Sequence, residues 1–258
     1  MLVLWEHPLS PYVQKIKIAL REKGVAFETR MPEGIGAGAG GGAFAAASPL
    51  MEVPALEDDG FALFESAVML EYIEDKWPEP PLIPADPRAA AEARMIARVV
   101  DGQYEAVNWG VSEIKHFRRA EGAQADALLA EAARQTRALN AWLARRLRGP
   151  WFGGAAFGLA DLSVAPYVAS AAADGRAPEG ALAAWLARVV ARDSVAKTLE
   201  EARAAMAGFE MAHLAIRSGL FKRQYRDHRL EWMMRSGGAD IVLAGMQAGN
   251  VRFSTELS

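Results

Sequence analysis

The chain has 258 residues, a formal net charge of −3, 52% apolar residues and no cysteine. That length supports one large domain or two small ones around a sizeable core, and so mild a charge gives no electrostatic reason to expect nucleic acid as a partner. The missing cysteine excludes disulfides, thiolate metal sites and a cysteine nucleophile, so any thiol chemistry must use a thiol supplied from outside.

The opening "MLVLWEHPLS" is too soon interrupted by charge and proline for a signal peptide, and no apolar run reaches membrane-spanning length. A cytoplasmic chain without a membrane partner is the expectation. "MLVLW" reads as a short buried strand. A helix follows, with Ser10 at the N-cap, Pro11 in the first turn and Gly24 in the left-handed position past the end. Val13, Ile16, Ala19 and Leu20 mark its buried face, and Gln14, Lys15, Lys17, Arg21 and Glu22 lie mostly on the wet one. Capping alone accounts for Ser10. The same helix end also carries free N–H groups and the positive end of the dipole, which stabilise an anion placed beside the hydroxyl.

"VAFETR" reads as a second strand. "GIGAGAGGGAFAAA" is too glycine-rich for firm regular structure, giving a mobile loop with a helical turn at its alanine end. Its GxG spacing raises a phosphate loop, but no GK[ST] follows and no acidic residue sits in a Rossmann context. "VPALEDDGFALFES" offers two strands around an Asp59-Gly60 turn. "SAVMLEYIEDKWP" is a helix capped by Ser66 and ended before Pro78.

"PEPPLIPADPR" carries five prolines and reads as a stiff linker. Beyond it the strand signals stop, and residues 88–119, 124–147, 159–173, 181–191 and 194–208 read as helices. The expected organisation is an α/β domain over 1–78, a linker over 79–87, an all-helical domain over 88–208 and a C-terminal helical extension over 209–258. Near the end, "FKRQYRDHRLEWMMRSGG" reads as a basic amphipathic helix closed by Gly237. Lys222, Arg223, Arg226, Arg229 and Arg235 set its charge pattern, and Phe221, Leu230, Trp232 and Met233 pack on the body.

Taken in order, several of these features resemble a cytosolic glutathione transferase, over residues 1 to about 208. The strand followed by Ser10-Pro11-Tyr12 is similar to the placement of the catalytic serine in serine-type, tau-like members. "VPAL" resembles the segment in which the proline equivalent to Pro54 is cis and the Val53 backbone pairs with the cysteinyl part of glutathione. Glu65-Ser66 matches the acid–serine pair that holds the γ-glutamyl end. "FGLADLSVAPY" is similar to the helix-opening motif of the second domain, with Gly158 at the N-cap where the family has serine or threonine, Asp161 at N3, and Phe157 and Leu162 at the staple positions. The family's cationic or glutamine contact to the glycyl carboxylate has no counterpart here, since Glu52 precedes Val53. The C-terminal addition resembles those of bacterial transferases and β-etherases, which keeps a sharper alternative open: that its basic helix covers the acceptor pocket or reaches a substrate carboxylate or the partner subunit.

The resemblance implies a thioredoxin-like α/β domain followed by an all-α domain, a homodimer, and glutathione as cosubstrate. Ser10 would stabilise the thiolate of glutathione for attack on a small, hydrophobic electrophile. An acceptor site between the domains would draw on Tyr12, Tyr104, Trp109 and Phe117, with His116 as a polar contact, although helical aromatics also serve as core. His7, near the strand end, reads as a loop residue rather than a base. A glutathione-dependent β-etherase or dehalogenase, and a non-catalytic binding protein of the same fold, are the alternatives.

Overall fold

The computed structural model describes residues 1–34, 41–207, 212–221, 223–224 and 227–252. Four strands, β1 (Leu2–Trp5), β2 (Glu28–Arg30), β3 (Ala55–Asp58) and β4 (Phe61–Phe64), form one sheet in the order β2-β1-β3-β4. The β1–β2 pair is parallel and the other two pairs are antiparallel. Asp59 and Gly60 both take positive φ, 48° and 91°, the backbone a two-residue hairpin needs to match strand twist. The expected loop within "GIGAGAGGG" lies largely at residues 35–40, outside the described residues, and its alanine end forms α2 (Gly42–Ala47).

Helix α1 (Pro11–Glu22) starts and ends where its sequence says, with Ser10 at the N-cap and Gly24 at φ 67°. Of its expected wet face, however, Gln14, Lys15 and Lys17 are buried along with the apolar side, and only Arg21 and Glu22 stay partly exposed. Lys15 is fully buried and Lys17 nearly so, because helices of the second half pack over them and supply carboxylates. Lys15 pairs with Asp101, and Lys17 lies 2.6 Å from both Glu6 and Glu201. These pairs are matched rather than solvated, which is the condition for tolerating buried charge.

The expected helix over 88–119 is instead three segments: α4 (Pro87–Val99), a π-helical turn (Val100–Tyr104) and α5 (Glu105–Lys115). A π turn inserts an extra residue and re-aims its side chains. Asp101 and Tyr104 are both buried there. Asp101 receives the Lys15 ammonium and accepts the Tyr167 hydroxyl at 3.0 Å, while its carbonyl accepts the Tyr12 hydroxyl at 2.7 Å.

After α6 (Gly122–Ala144) comes α7 (Leu159–Ala173), which occupies the expected residues, then α8 (Gly180–Val190) and α9 (Asp193–Met206). At the start of α7, Asp161 is fully buried and accepts from Phe152 N, Gly158 N and Trp185 Nε1 at 3.1, 3.1 and 2.8 Å. Burial pushes its carboxyl up to about 6 against the pull of these donors. Gly158 makes no side-chain capping bond, but the position has no room for one. A Cβ there would stand 2.6 Å from the Leu82 carbonyl oxygen, a backbone atom, and the adjacent Leu159 N–H donates to that oxygen at 2.7 Å. Restoring serine at this cap is therefore expected to destabilise the protein by about 1–3 kcal/mol through overpacking, opposite in sign to the usual N-cap gain. A urea-denaturation midpoint for Gly158→Ser that falls bears this out, and one that rises contradicts it.

The C-terminal segment comprises α10 (Ala212–Arg217), β5 (Arg223–Gln224), α11 (Asp227–Arg235), α12 (Ala239–Gln247) and β6 (Val251–Arg252). The expected basic helix thus loses its first part to β5, which pairs in parallel with β6. Lys222 and Arg226 lie outside the described residues. Gly237 ends α11 at φ 88°. Trp232 and Met233 are buried in a cluster with Val107, Val111 and Ile241. The contact is close: a Cβ on Gly110 of α5 would fall 2.4 Å from the Trp232 ring. No helix among the described residues is long and apolar enough to cross a membrane.

Candidate functional site

Two adjoining cavities lie between the sheet-bearing half and the helical half, and they share Tyr12, Glu52 and Val53. The smaller, about 80 Å³, is polar and includes Ser48, Glu65, Ser66, Arg98 and Asp101. The larger, about 630 Å³, contains Ser10 and Gln14 on one side and Trp109, His116 and Phe117 on another. Its volume is in the range of small-molecule sites.

Ser10 reaches the larger cavity because it caps α1 at the end of β1. Its Oγ accepts the Val13 N–H at a long 3.4 Å. Among the described residues no acceptor takes the Ser10 hydroxyl proton, so the oxygen is used structurally while the hydrogen remains available for an anion. The site is also the positive end of a twelve-residue helix, which favours negative charge in the first turn.

His7 lines the same cavity. Its Nδ1 accepts the Leu9 N–H at 3.3 Å, and its carbonyl, not its ring, meets Ser10 N. Burial lowers the imidazole below its ordinary pKa, with Glu6 pulling the other way. These contacts agree with a loop role.

Val53 and Pro54 border the smaller cavity, and the peptide between them is cis, as the resemblance implies. Helix α3 (Ser66–Lys76) begins one residue earlier than expected: Glu65, not Ser66, is the N-cap, and Ser66 is the first helical residue. Glu65 holds φ 72°, a left-handed value that costs a non-glycine residue of order 1–3 kcal/mol. Its side chain makes no capping bond, so capping does not account for the strained residue.

Of the expected acceptor residues, Tyr12, Trp109, His116 and Phe117 line the larger cavity. Tyr104 does not. Its ring is fully buried behind the π turn, packs against Tyr167 and donates its hydroxyl to Asn140 Oδ1 at 2.9 Å. Burial pushes its phenol well above the ordinary range. The turn inserted at 100–104 rotates it into the core, so helical spacing from Trp109 places it wrongly.

The C-terminal segment adds Phe221, expected on the packed face of the basic helix, and Arg229, expected in its charge pattern. Phe221 stacks on Phe117 with ring centroids 5.9 Å apart, and Arg229 reaches the cavity from α11. Arg229 lies 2.5 Å from Glu105 and 5.4 Å over the Trp109 ring. Arg98 and Arg203 also line the cavities and were not foreseen. Nothing local distinguishes them from the other helical arginines.

Residues 4–81 match the family model described as glutathione S-transferase, N-terminal domain. Over 175 residues the chain is 32% identical to glutathione S-transferase U6 of Arabidopsis thaliana, an alignment covering 66% of this chain and 73% of that one. The chain belongs to the glutathione S-transferase family. Relatives of other names also occur in the comparison: a stringent starvation protein A homolog of Pasteurella multocida is 28% identical over 77% of this chain and 90% of its own length. A solved glutathione S-transferase from Methylobacterium radiotolerans, in complex with glutathione sulfonate, superposes with a TM-score of 0.62 at 29% identity, covering 76% of this chain and 93% of that one. The sheet followed by a predominantly helical remainder is the glutathione S-transferase fold.

Proposed function

We propose that this chain is a serine-type, tau-like glutathione transferase in which Ser10 stabilises the glutathione thiolate for attack on a small, largely hydrophobic electrophile. The observation that carries the reading is the Ser10 hydroxyl: it caps α1, borders a large cavity and keeps its proton free of acceptors among the described residues. In this reading residues 1–78 bind glutathione, 88–208 form the acceptor side, Phe221 and Arg229 of the extension over 209–258 complete its wall, and the linker over 79–87 joins the two halves. Glutathione is the cosubstrate, and the chemistry takes place in the cytoplasm.

The residues of the smaller cavity fit a γ-glutamyl end. Glu65 offers a carboxylate to its ammonium, while Ser66, at the first turn of α3, offers a hydroxyl to its carboxylate beside the free N–H groups of that helix end. Arg98 adds a cation on the same wall. The Val53 backbone, shared by both cavities, supports the cysteinyl part, so that the sulfur faces Ser10. Free thiols have a pKa of about 8.5 and react as thiolates. Ser10 donates to the sulfur and the α1 dipole adds to it; together they lower that value by about two units, equivalent to roughly 2.7 kcal/mol. No general base is required, and His7, whose Nδ1 accepts the Leu9 N–H, is assigned no proton transfer. Tyr12, Trp109, His116 and Phe117 contact the electrophile.

A homodimer is part of this reading. Phe61 on β4, Val68 on α3 and Met95 on α4 are all about half exposed; Phe61 packs on Tyr72 of α3, and the Glu71–Arg94 pair ties α3 to α4. They supply an apolar face for a second copy.

Calorimetric titration with glutathione tests the binding half. Ser66→Ala should raise Kd about 10-fold, the loss of one hydrogen bond to a charged group. Tight binding that ignores Ser66 would place the peptide elsewhere. A second reading, a binding protein that keeps the fold without the reaction, is favoured by the likeness to stringent starvation protein A homologs, a name that carries no transferase activity. That reading predicts no enzyme-dependent conjugation of glutathione to a chlorodinitrobenzene.

A further inference from the structure

The charged side chains on the wall of the larger cavity are not equally satisfied. Glu105 is held by Arg229 at 2.5 Å. Asp174 lies between Arg176 at 3.3 Å and Lys115 at 3.7 Å, and Glu52 is also engaged. Arg203, on α9, is exposed at the cavity rim and pairs with no carboxylate among the described residues.

Its position follows from how α9 lies on α1. Arg192 and Ser194 meet Glu22, Thr198 meets Arg21, and Glu201 meets Lys17. The two helices therefore run antiparallel, and each step up α9 moves toward the Ser10 end of α1. Arg203 and Met206 then border the same cavity as Gln14 and Ser10. A cation is thus set on the rim of a chamber that also holds the rings of Trp109, Phe117 and Phe221, and it stands toward the Ser10 end of α1.

We propose that the acceptor cavity selects an aromatic carboxylate, with Arg203 as the residue that recognises its anionic group. The guanidinium fork matches a carboxylate in two parallel hydrogen bonds, while the aromatic body of the ligand is taken by the rings of Trp109, Phe117 and Phe221. Stating that this ligand is the electrophile rests on the glutathione transferase reading; the binding preference itself does not.

The test is calorimetry on the full chain with 2-naphthoate and its neutral counterpart 2-naphthamide. The naphthoate should bind about 10-fold more tightly than the amide to the unaltered protein. Arg203→Gln should erase that difference without changing the affinity for the amide, and Arg203→Lys should retain part of it. The preference should persist at saturating glutathione. Equal affinities in the unaltered protein, failure of both ligands to bind, or a preference that survives Arg203→Gln each overturn the proposal. So does a preference that vanishes when glutathione is added, which assigns Arg203 to the peptide instead. An unshifted glutathione thiol together with an Arg203-dependent naphthoate preference would reject the transferase reading and leave this site standing.

Discussion

Ser10→Ala is expected to lower kcat/KM for conjugation about 30-fold while changing the glutathione Kd by no more than about 2-fold. The size follows from the share of the two-unit lowering that the hydroxyl supplies, about 1.5 units, the α1 dipole keeping the rest; that share corresponds to about a 30-fold change in thiolate fraction where the thiol is mostly protonated. Removing the hydroxyl should also move the ascending limb of the pH–rate profile upward by about 1.5 units, because that limb reports ionisation of the bound thiol. The same substitution removes the cap on Val13 N and should cost about 1 kcal/mol of stability. These readouts separate the two roles of the side chain. A variant that is destabilised but retains its activity and pH profile would leave Ser10 with the structural role only.

Asp101→Ala is expected to lower the unfolding free energy by about 3–5 kcal/mol, the penalty for leaving a buried charge without its partner. Lys15 is fully buried and comes from α1, whereas Asp101 comes from the π turn of the helical half. The stranded ammonium cannot reach solvent without separating those elements. Replacing both partners, Lys15→Met with Asp101→Leu, should recover most of the loss. About 1–2 kcal/mol should remain, because the Tyr167 hydroxyl still loses its acceptor. Urea denaturation of the two single variants and the pair gives the coupling directly. Single and double variants of equal stability would show that the pair does not hold the halves together.

What could be read in advance was what neighbours in sequence decide. Ser10, Pro11 and Gly24 delimit α1, Asp59-Gly60 makes the hairpin, and "FGLADLSVAPY" opens α7, because capping and turn chemistry act over three or four residues. What escaped is long-range. Lys15 and Lys17 read as solvated because Asp101 and Glu201, which neutralise them, come from distant parts of the chain. Tyr104 read as a pocket residue because a π turn leaves no compositional trace, yet it shifts the helical face on which every later residue falls. The stretch around Arg223 read as helix because its partner, Val251, stands far along the chain. Gly158 looked like a missing serine until the Leu82 carbonyl beside it was seen.

The same division holds for the site. Ser10, Val53, Pro54, Glu65 and Ser66 lie in short motifs and fall on two adjoining cavities. Arg98, Arg203 and Arg229 reach those cavities from three different helices, and only packing reveals them. The aromatic wall was half legible: Trp109 and Phe117 are one α5 face and its end, but Phe221 joins them from beyond the expected second domain.

The most direct measurement is the thiol pKa of glutathione bound to the unaltered protein, followed through thiolate absorbance in the ultraviolet as pH is varied. Stabilisation by Ser10 and the α1 terminus predicts a midpoint near about 6.5, some two units below that of the free thiol. A bound thiol that titrates at about 8.5, as it does in water, would contradict the account.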